Sequence, residues 1–295
     1  MDRSPTPPAL EDVATQPTVR LNDGREMPQL GLGCYQTPAP QAAEIIGHAL
    51  ASGYRAFDTA AIYANEEPIG EALRASGLPR EAYHLTTKLW IDRLAYDAAL
   101  EGLDWSLKRL GLDHVDLYLI HWPNEGYVEA WKALVRLKEQ GLARSVGVSN
   151  FTIEHLERVI GETGVTPAVN QIELHPQFPQ RALREFHDRH GIATESWAPL
   201  GRNSVLDSTL VADLAAKHGK TPGQVLIRWH LQNGLIVIPK SVTPSRITAN
   251  IDVFDFELDE ADMAALATLE KPDGRIGPDP ALPHPFPHYR SPENR

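Results

Sequence analysis

The sequence has little cysteine, no excess of basic charge and no long apolar run, and each shortage excludes a class of protein. Its single cysteine, Cys34, excludes an internal disulfide and a zinc site built from several cysteines. With 28 Lys and Arg against 39 Asp and Glu, the formal net charge of −11 disfavours a nucleic-acid partner and an anionic membrane surface. No apolar run approaches the roughly 18 residues that cross a bilayer.

The start of the chain also lacks the features of a secretion signal. A signal peptide needs a cationic segment followed by an apolar one, but residues 1–16 are polar and rich in proline. We therefore expect a cytoplasmic protein with a disordered leader over residues 1–16. The rest of the chain, residues 17–295, fits one domain, because α/β barrels commonly run to this length.

What the sequence does have is one repeated pattern, in which a short apolar run precedes a longer segment of helical period. Such runs are typical of strands that are buried on both faces. Their alternation with helices implies a parallel sheet with right-handed crossovers, so we predict an α/β fold, a (β/α)8 TIM barrel. A doubly wound open sheet with an added helical part is the alternative. The eight runs are residues 30–33, 55–60, 84–90, 115–122, 144–150, 168–174, 193–199 and 235–240.

Two short extended runs flank Asn22, Asp23 and Gly24, ahead of the first repeat. An Asp-Gly pair between such runs predicts a β-hairpin. Since the eight repeats leave this hairpin without a partner strand, we expect it to cover the N-terminal end of the barrel.

Polar side chains stand where the predicted strands end, which is the edge at which a barrel carries its chemistry. Such groups are rarely buried without partners, so their number predicts that they meet in one site. No residue spacing typical of a metal site is present, and we expect no metal. The strand-end residues are Asp58, Tyr63, Lys88, His121, Ser149, Asn150, Gln171, Glu173, Glu195, Trp197, Lys240 and Ser241.

Four of these residues form a pattern suited to protonating an oxygen atom. An ammonium beside a phenol favours the phenolate, so Lys88 would lower the pKa of Tyr63 towards the range of a general acid. Asp58 would keep the ammonium charged, and a neutral His121 would donate an N–H to a substrate oxygen. Taken alone, Lys88 and Asp58 could instead form a structural ion pair.

Seven stretches together carry a resemblance to a known family. Over roughly residues 20–275 they resemble, in order and spacing, the aldo-keto reductases, and most closely the bacterial branch that includes diketogluconate reductases. The stretches are GYRAFDTAAIYANEEPIGEAL, TTKLW, DLYLIHWP, SVGVSNF, NQIELHP, SWAPLG and IPKSVTPSRITANIDVFDFELDEADM. The resemblance implies NADPH-dependent reduction of small aldehydes, ketones or dicarbonyls by direct hydride transfer.

The resemblance also assigns catalytic roles to this chain's own residues. The family's catalytic tetrad falls on Asp58, Tyr63, Lys88 and His121, and none of the four is substituted. Tyr63 would be the general acid, Lys88 and Asp58 would set its pKa, and His121 would orient the carbonyl.

The sequence has no Rossmann fingerprint for the cofactor. Gly31 to Gln36 begins like one, but Gln36 stands at the third glycine position and no helix starts there. A better anion site lies where Thr243 and Pro244 predict a helix start, because free amides there face outward. Taken alone, this could be a capped surface helix with solvated charges. With the resemblance, Lys240 and Arg246 beside it match contacts to the 2′-phosphate, which implies NADPH rather than NADH.

The resemblance extends to the remaining cofactor contacts. It places Ser149, Asn150 and Gln171 on the nicotinamide carboxamide and Trp197 on the nicotinamide ring, although each could be an ordinary interior residue. The implied contacts are Ser149, Asn150, Gln171, Trp197, Leu200, Lys240, Ser241, Val242, Arg246 and Asn250, with Lys240, Ser241 and Arg246 on the 2′-phosphate and Asn250 on adenine.

The substrate pocket is expected to be largely aromatic. By resemblance it is lined by Tyr35, Trp90, Trp122 and Asn124, although the tryptophans could equally be core packing. The proline-rich residues 272–295 would form a loop near this pocket. Cys34 lies close by and is expected to be an inert thiol rather than a reactive one.

Two other functions use the same features differently. A regulatory or partner-binding protein could hold NADPH on this fold, as the potassium-channel β subunits do, but those carry Asn where this chain has His121. A sugar-phosphate isomerase would use the anion site for its substrate and leave Tyr63 and Lys88 without a role. We therefore expect a reductase, acting as a monomer on a small carbonyl compound.

Overall fold

The computed structural model describes residues 16–285 and 288–294. The predicted leader, residues 1–16, lies outside these residues apart from Gln16, whose side-chain amide donates to the carbonyl oxygen of Gly53 at 2.9 Å. Within the described ranges, no helix is both long and apolar enough to span a membrane.

Eight parallel strands pair in chain order and form the predicted barrel. Bridges from Leu30 to Val237 and from Gly33 to Lys240 join the first strand to the last. The TIM-barrel prediction is thereby confirmed against the open sheet. The strands are β3 (Leu32–Gly33), β4 (Ala56–Asp58), β5 (His84–Leu89), β6 (Val115–Ile120), β7 (Ala143–Ser149), β8 (Val169–Glu173), β9 (Ala193–Trp197) and β10 (Ile236–Val237).

Helices follow the strands and pack their apolar faces on the outside of the sheet. In the fourth helix the buried residues Val128, Trp131 and Leu134 recur at helical spacing. The helices are α1 (Ala42–Ala51), α2 (Glu66–Ala75), α3 (Tyr96–Leu110), α4 (Tyr127–Glu139), α5 (Ile153–Thr163), α6 (Arg181–His190), α7 (Thr209–His218), α8 (Pro222–Gln232), α9 (Pro244–Ile251) and α10 (Glu260–Ala267).

The first and last strands of the barrel are shorter than the apolar runs that predict them. The runs at 30–33 and 235–240 shrink to two paired residues each in β3 and β10. Pro239 has no N–H to donate, so the ladder is interrupted just before the Lys240 bridge. The extended backbone nevertheless carries Lys240 to the edge where the strands end.

The predicted hairpin closes the opposite end of the barrel. Strand β1 (Thr18–Arg20) pairs antiparallel with β2 (Glu26–Pro28). Leu21 and Met27 pack with interior barrel residues such as Leu117 and Leu119 in a small cluster separate from the main core. Because this end is filled with apolar side chains, the polar strand ends lie at the other edge.

Candidate active site

The four predicted catalytic residues come together at the carboxyl edge of three neighbouring strands. Asp58 is the last residue of β4, and Lys88 stands next to last in β5. His121 follows β6 directly, and Tyr63 lies in a single 3-10 turn just after β4. Since β4, β5 and β6 pair in this order, the side chains meet above one part of the sheet.

Lys88 and Asp58 form a buried ion pair at the centre of this group. The Nζ of Lys88 lies 2.5 Å from Oδ1 of Asp58 and also donates to the carbonyl oxygen of Thr59 at 2.9 Å. Burial alone would lower the pKa of Lys88, but the charge of Asp58 and the neighbouring Tyr63 raise it beyond its usual value. The ammonium therefore stays charged.

Tyr63 stands beside this ammonium, and its hydroxyl stays protonated. The Nζ of Lys88 is 5.1 Å from the centre of the Tyr63 ring. Burial raises the pKa of Tyr63 to about 12, although the charge of Lys88 acts to lower it. Lys88 thus acts on the Tyr63 pKa in the predicted direction, but burial outweighs the ammonium and the net shift is upward. A phenol that keeps its proton at neutral pH is available as a donor.

His121 is a buried, neutral imidazole next to the phenol. Its ring meets the rings of Tyr63 and Trp90 edge-on, with centres 5.6 and 5.1 Å away. Burial, the charge of Lys88 and the nearby His284 hold the pKa of His121 well below its usual value. Its Nδ1 is buried and accepts or donates no hydrogen bond within the described part of the chain. The ring can therefore donate only one N–H, as a neutral imidazole does.

The next strands bring a cluster of amide and hydroxyl groups to the same edge. Asn150 takes a left-handed φ of 63°, which Asn tolerates, and donates from Nδ2 to the carbonyl oxygen of His121 at 2.9 Å. Its Oδ1 accepts from Nε1 of Trp197 at 2.8 Å, and Ser149 Oγ donates to the carbonyl oxygen of Gln171 at 2.8 Å. These contacts fix the four predicted nicotinamide contacts against the catalytic group.

Gln171 connects the ion pair to a carboxyl group to which the sequence assigned no role. Its Nε2 donates to Oδ2 of Asp58 and to Oε2 of Glu195, each at 2.8 Å. Glu195 is fully buried in β9. Its place near the end of a buried strand was the one sequence signal that could have marked it as part of the site.

The predicted anion site lies at the start of α9. Thr243 occupies the N-cap position and Pro244 the first helical position, as predicted, and the Thr243 side chain makes no capping hydrogen bond. Ser241 is buried, and its Oγ accepts from the N–H of Thr243 at 3.1 Å. Lys240 and Arg246 are exposed, and neither forms an ion pair with another described residue.

The chemistry of these donors fits a phosphorylated dinucleotide. Two cations without ionic partners in the described chain, together with a helix start, suit a phosphate group. The other predicted contacts are placed as follows: Val242 and Leu200 are partly buried against the core, and Asn250 is buried on α9.

Two of the four predicted pocket residues, Tyr35 and Trp90, contact the rings of Tyr63 and His121. Half-exposed Tyr35 meets the Tyr63 ring edge-on, with centres 5.1 Å apart, and Asn124 is partly buried in the loop after β6. Trp90 and Trp122 are buried but lie outside the main hydrophobic core. Trp90 contacts the ring of His121, and Trp122 follows His121 directly in the chain.

A residue of the C-terminal segment, which sequence reasoning missed, also enters this pocket. The ring of His284 lies edge-on to Trp90 and Trp122, with centres 5.1 and 4.8 Å away. Nearby, Trp90 Nε1 donates to the carbonyl oxygen of Tyr289 at 2.9 Å. No periodicity marks this histidine, because it lies in a proline-rich stretch without regular structure.

Two carboxylates anchor described parts of the C-terminal segment. At one end the carboxylate of Glu173 accepts from the N–H groups of Ile276 and Gly277 at 2.6 and 2.7 Å. At the other end Glu293 pairs with Arg109 at 2.8 Å and Arg93 at 3.1 Å.

Cys34 is buried close to the site, and its N–H donates to the carbonyl oxygen of Asp58 at 2.8 Å. Its Sγ lies 3.7 Å from the carbonyl oxygen of Leu32. Burial raises the pKa of the Cys34 thiol to about 12, so the nucleophilic thiolate is not formed at neutral pH.

Comparison with known proteins agrees with this geometry. A sequence model of the Aldo/keto reductase family matches residues 27–271. An aldo-keto reductase of Mycolicibacterium smegmatis is 54% identical over 267 residues, covering 90% of this chain and 97% of that protein. Methylglyoxal reductase DkgA of Escherichia coli (strain K12) is 51% identical over 273 residues, covering 91% and 98%.

Solved structures show the same fold with a cofactor. A mutant of Gox0644 in complex with NADPH is 52% identical, with a TM-score of 0.88 over 91% of this chain and 98% of that one. An aldo-keto reductase of Bombyx mori in complex with NADP is 36% identical, with a TM-score of 0.82 over 87% and 94%.

Proposed function

Because this chain belongs to the aldo/keto reductase family and is an NADP-dependent oxidoreductase, we propose that it reduces small aldehydes, ketones or dicarbonyls to alcohols with Tyr63 as the general acid. The observation that carries this proposal is the buried Lys88–Asp58 pair beside a protonated phenol and a neutral imidazole. A purely structural ion pair would not need the other two groups.

The bound NADPH would supply the hydride that reduces the carbonyl carbon. Lys240, Ser241 and Arg246 would hold its 2′-phosphate, since the two cations have no ionic partner among the described residues. The other contacts proposed are Val242, Leu200 and Asn250 along the adenosine side, and Ser149, Asn150, Gln171 and Trp197 around the nicotinamide.

The chain's own residues then handle the proton. His121 donates its N–H to the carbonyl oxygen of the substrate and orients it towards the phenol. Tyr63 gives its proton to that oxygen and becomes a phenolate, whose charge the Lys88 ammonium balances. Asp58 keeps the ammonium in place, and solvent later returns a proton to the phenolate.

We propose small dicarbonyls as the preferred substrates. Relatives such as DkgA of Escherichia coli are named methylglyoxal reductases. Aromatic walls formed by Tyr35, Trp90 and Trp122, with Asn124 as a polar group, suit a compact substrate with an apolar face. A pocket of this kind discriminates weakly between small carbonyls, so activity on several of them is expected.

Residues 17–295 are proposed to act as one domain whose C-terminal loop, residues 272–295, lies near the pocket. The anchors at Glu173 and Glu293 and the position of His284 support this arrangement. A monomeric state and a cytoplasmic location stay predictions from the sequence.

The test is NADPH consumption by the purified protein with methylglyoxal, diacetyl, a nitrobenzaldehyde, diketogluconate and a plain aldose. We expect turnover of the dicarbonyls. Tyr63→Phe should lower kcat/KM by about 100- to 10,000-fold, the usual contribution of a general acid. Its NADPH affinity should stay within about threefold of wild type, because no cofactor contact is removed.

Tyr83→Phe provides the matched control, since this buried tyrosine packs beside Arg80 away from the site. It should keep wild-type rates. An active Tyr63→Phe enzyme would remove the general-acid role. Tight NADPH binding without turnover of any compound would favour the partner-binding alternative.

A further inference from the structure

Glu195 is a buried carboxyl group that the proposed reaction does not use. It stands in β9 two residues before Trp197, so both side chains leave the strand on the same face. In the sheet it pairs directly with Gln171 of β8. Its Oε2 accepts from Gln171, whereas its buried Oε1 has no hydrogen-bond partner among the described residues.

The cluster around Glu195 holds two carboxyl groups and one ammonium. Gln171 Nε2 donates one N–H to Asp58 and the other to Glu195. Lys88 contacts Asp58 at 2.5 Å, and no hydrogen bond or ion pair joins it to Glu195. If both carboxyl groups were ionised, this dry cluster would hold an unbalanced negative charge, which is strongly unfavourable.

The state of Glu195 follows from this charge balance. Burial raises the pKa of its carboxyl to about 8, and the charge of Asp58 raises it too. The hydrogen bond from Gln171 and the charge of Lys88 act in the opposite direction without outweighing burial. Asp58 on β4 and Lys88 on β5 are the charged groups that act on it within the described chain. Glu195 is therefore a neutral acid at neutral pH.

We propose that Glu195 is a positioning residue that acts on the nicotinamide through Gln171 and sets which redox form of the cofactor the site prefers. Protonated, it leaves the cluster electrically balanced and suited to the neutral ring of NADPH. Ionised, it adds a buried negative charge that favours the positively charged ring of NADP⁺. This inference rests on the proposed function, because Gln171 contacts the nicotinamide only if the cofactor binds as proposed.

The test is the affinity for NADPH and for NADP⁺ between pH 6 and 9.5, followed by quenching of tryptophan fluorescence. The ratio of the two Kd values isolates the ring charge, because the 2′-phosphate titrates alike in both cofactors. In the wild type, NADP⁺ should gain about tenfold relative to NADPH as the pH rises past 8. Glu195→Gln keeps a neutral side chain of the same shape, so its ratio should stay at the wild-type value for pH 6.

Glu66→Gln is the matched control, because Glu66 is also buried but pairs with Arg109 away from Gln171. It should keep the pH dependence of the wild-type ratio. A purely structural role for Glu195 would change both affinities together and leave the ratio alone. An infrared carboxylic-acid band present at pH 6 and lost at pH 9.5 would support the proposal in the wild-type protein itself.

Two results would overturn the inference. One is a wild-type ratio that does not change with pH, and the other is a Glu195→Gln variant that changes as the wild type does. Saturable binding of both cofactors in these cases would leave the proposed reductase function standing. Failure to bind either cofactor at any pH would overturn both proposals.

Discussion

Lys88 is a fully buried ammonium whose charged partner, Asp58, is also buried. Removing one member of such a pair leaves an uncompensated charge in the interior. Replacing both members leaves no uncompensated charge in the interior. The contribution of the ion pair to protein stability can therefore be measured separately from its role in catalysis.

Lys88→Met should destabilise the protein by about 3–5 kcal/mol in urea unfolding, because Asp58 then stays buried without its ammonium. The double variant Lys88→Met with Asp58→Asn should recover a large part of this loss. Both should be inactive, since the phenolate of Tyr63 would lack its counter-charge. Equal stability of the single and double variants would mean that the pair does not interact as the 2.5 Å distance indicates.

At the residue scale, the sequence predicts which residues form the site better than it predicts their protonation states. The strand-end pattern places Asp58, Tyr63, Lys88 and His121 in one group, and the structure brings them together. The pattern also predicts that Lys88 lowers the pKa of Tyr63, yet burial reverses the net effect. A sequence shows which charges are neighbours along the barrel edge, but desolvation depends on everything packed around them.

Among the elements, α9 carries the clearest local signal. Thr243 and Pro244 mark its start in the sequence, and the helix begins at Pro244. The cations on either side are exposed, so their removal should not disturb packing.

Lys240→Ala combined with Arg246→Ala should weaken NADPH binding about 100-fold, because two charge-assisted contacts to the 2′-phosphate are lost at about 1.4 kcal/mol each. NADH binding should change by less than about threefold, since NADH lacks that phosphate. Titration of both cofactors measures the difference. The control replaces Lys132 and Arg136 on α4 by Ala. These two residues form only surface ion pairs, and their loss lowers the net charge by the same amount. Equal losses for NADH and NADPH would move the phosphate site elsewhere.

The barrel was predictable because its strands are buried on both faces and its helices are not. Periodicity changes from one element to the next, so each boundary is visible in the sequence. Contacts between distant elements leave no such mark. Gln171 joins Asp58 of β4 to Glu195 of β9. The strand-end pattern groups these three residues in one site, but it does not indicate which of them bond to each other.

At the scale of the whole molecule, the C-terminal segment is the part that the sequence describes least. Its prolines disfavour long helices and central strands, but they do not predict the path of the chain. Its course is instead fixed by pairing with far elements, at Glu173 on β8 and at Arg93 and Arg109 near α3. The Glu173 bonds lower the pKa of this carboxyl despite its burial, so it is ionised at neutral pH.

Glu173→Gln should release this anchor without unfolding the barrel. The amide replaces a carboxylate that accepts from Ile276 and Gly277, so trypsin should cut after Arg275 about tenfold faster, in proportion to the open population. Mass spectrometry of the released fragment gives the rate. Glu270→Gln is the control, because exposed Glu270 pairs with Arg181 and not with the segment.

The Glu173→Gln variant also tests whether the anchor at Glu173 affects the substrate pocket. Gly277 packs so close to Trp197 that a Cβ there would lie 2.5 Å from its ring, and His284 follows within the same segment. A released segment should therefore raise KM for the small carbonyls more than it lowers kcat, since Tyr63 and His121 stay in place. Unchanged cleavage and unchanged KM would show that the segment is held from its far end, where Glu293 pairs with Arg109 and Ser291 donates to Asp92.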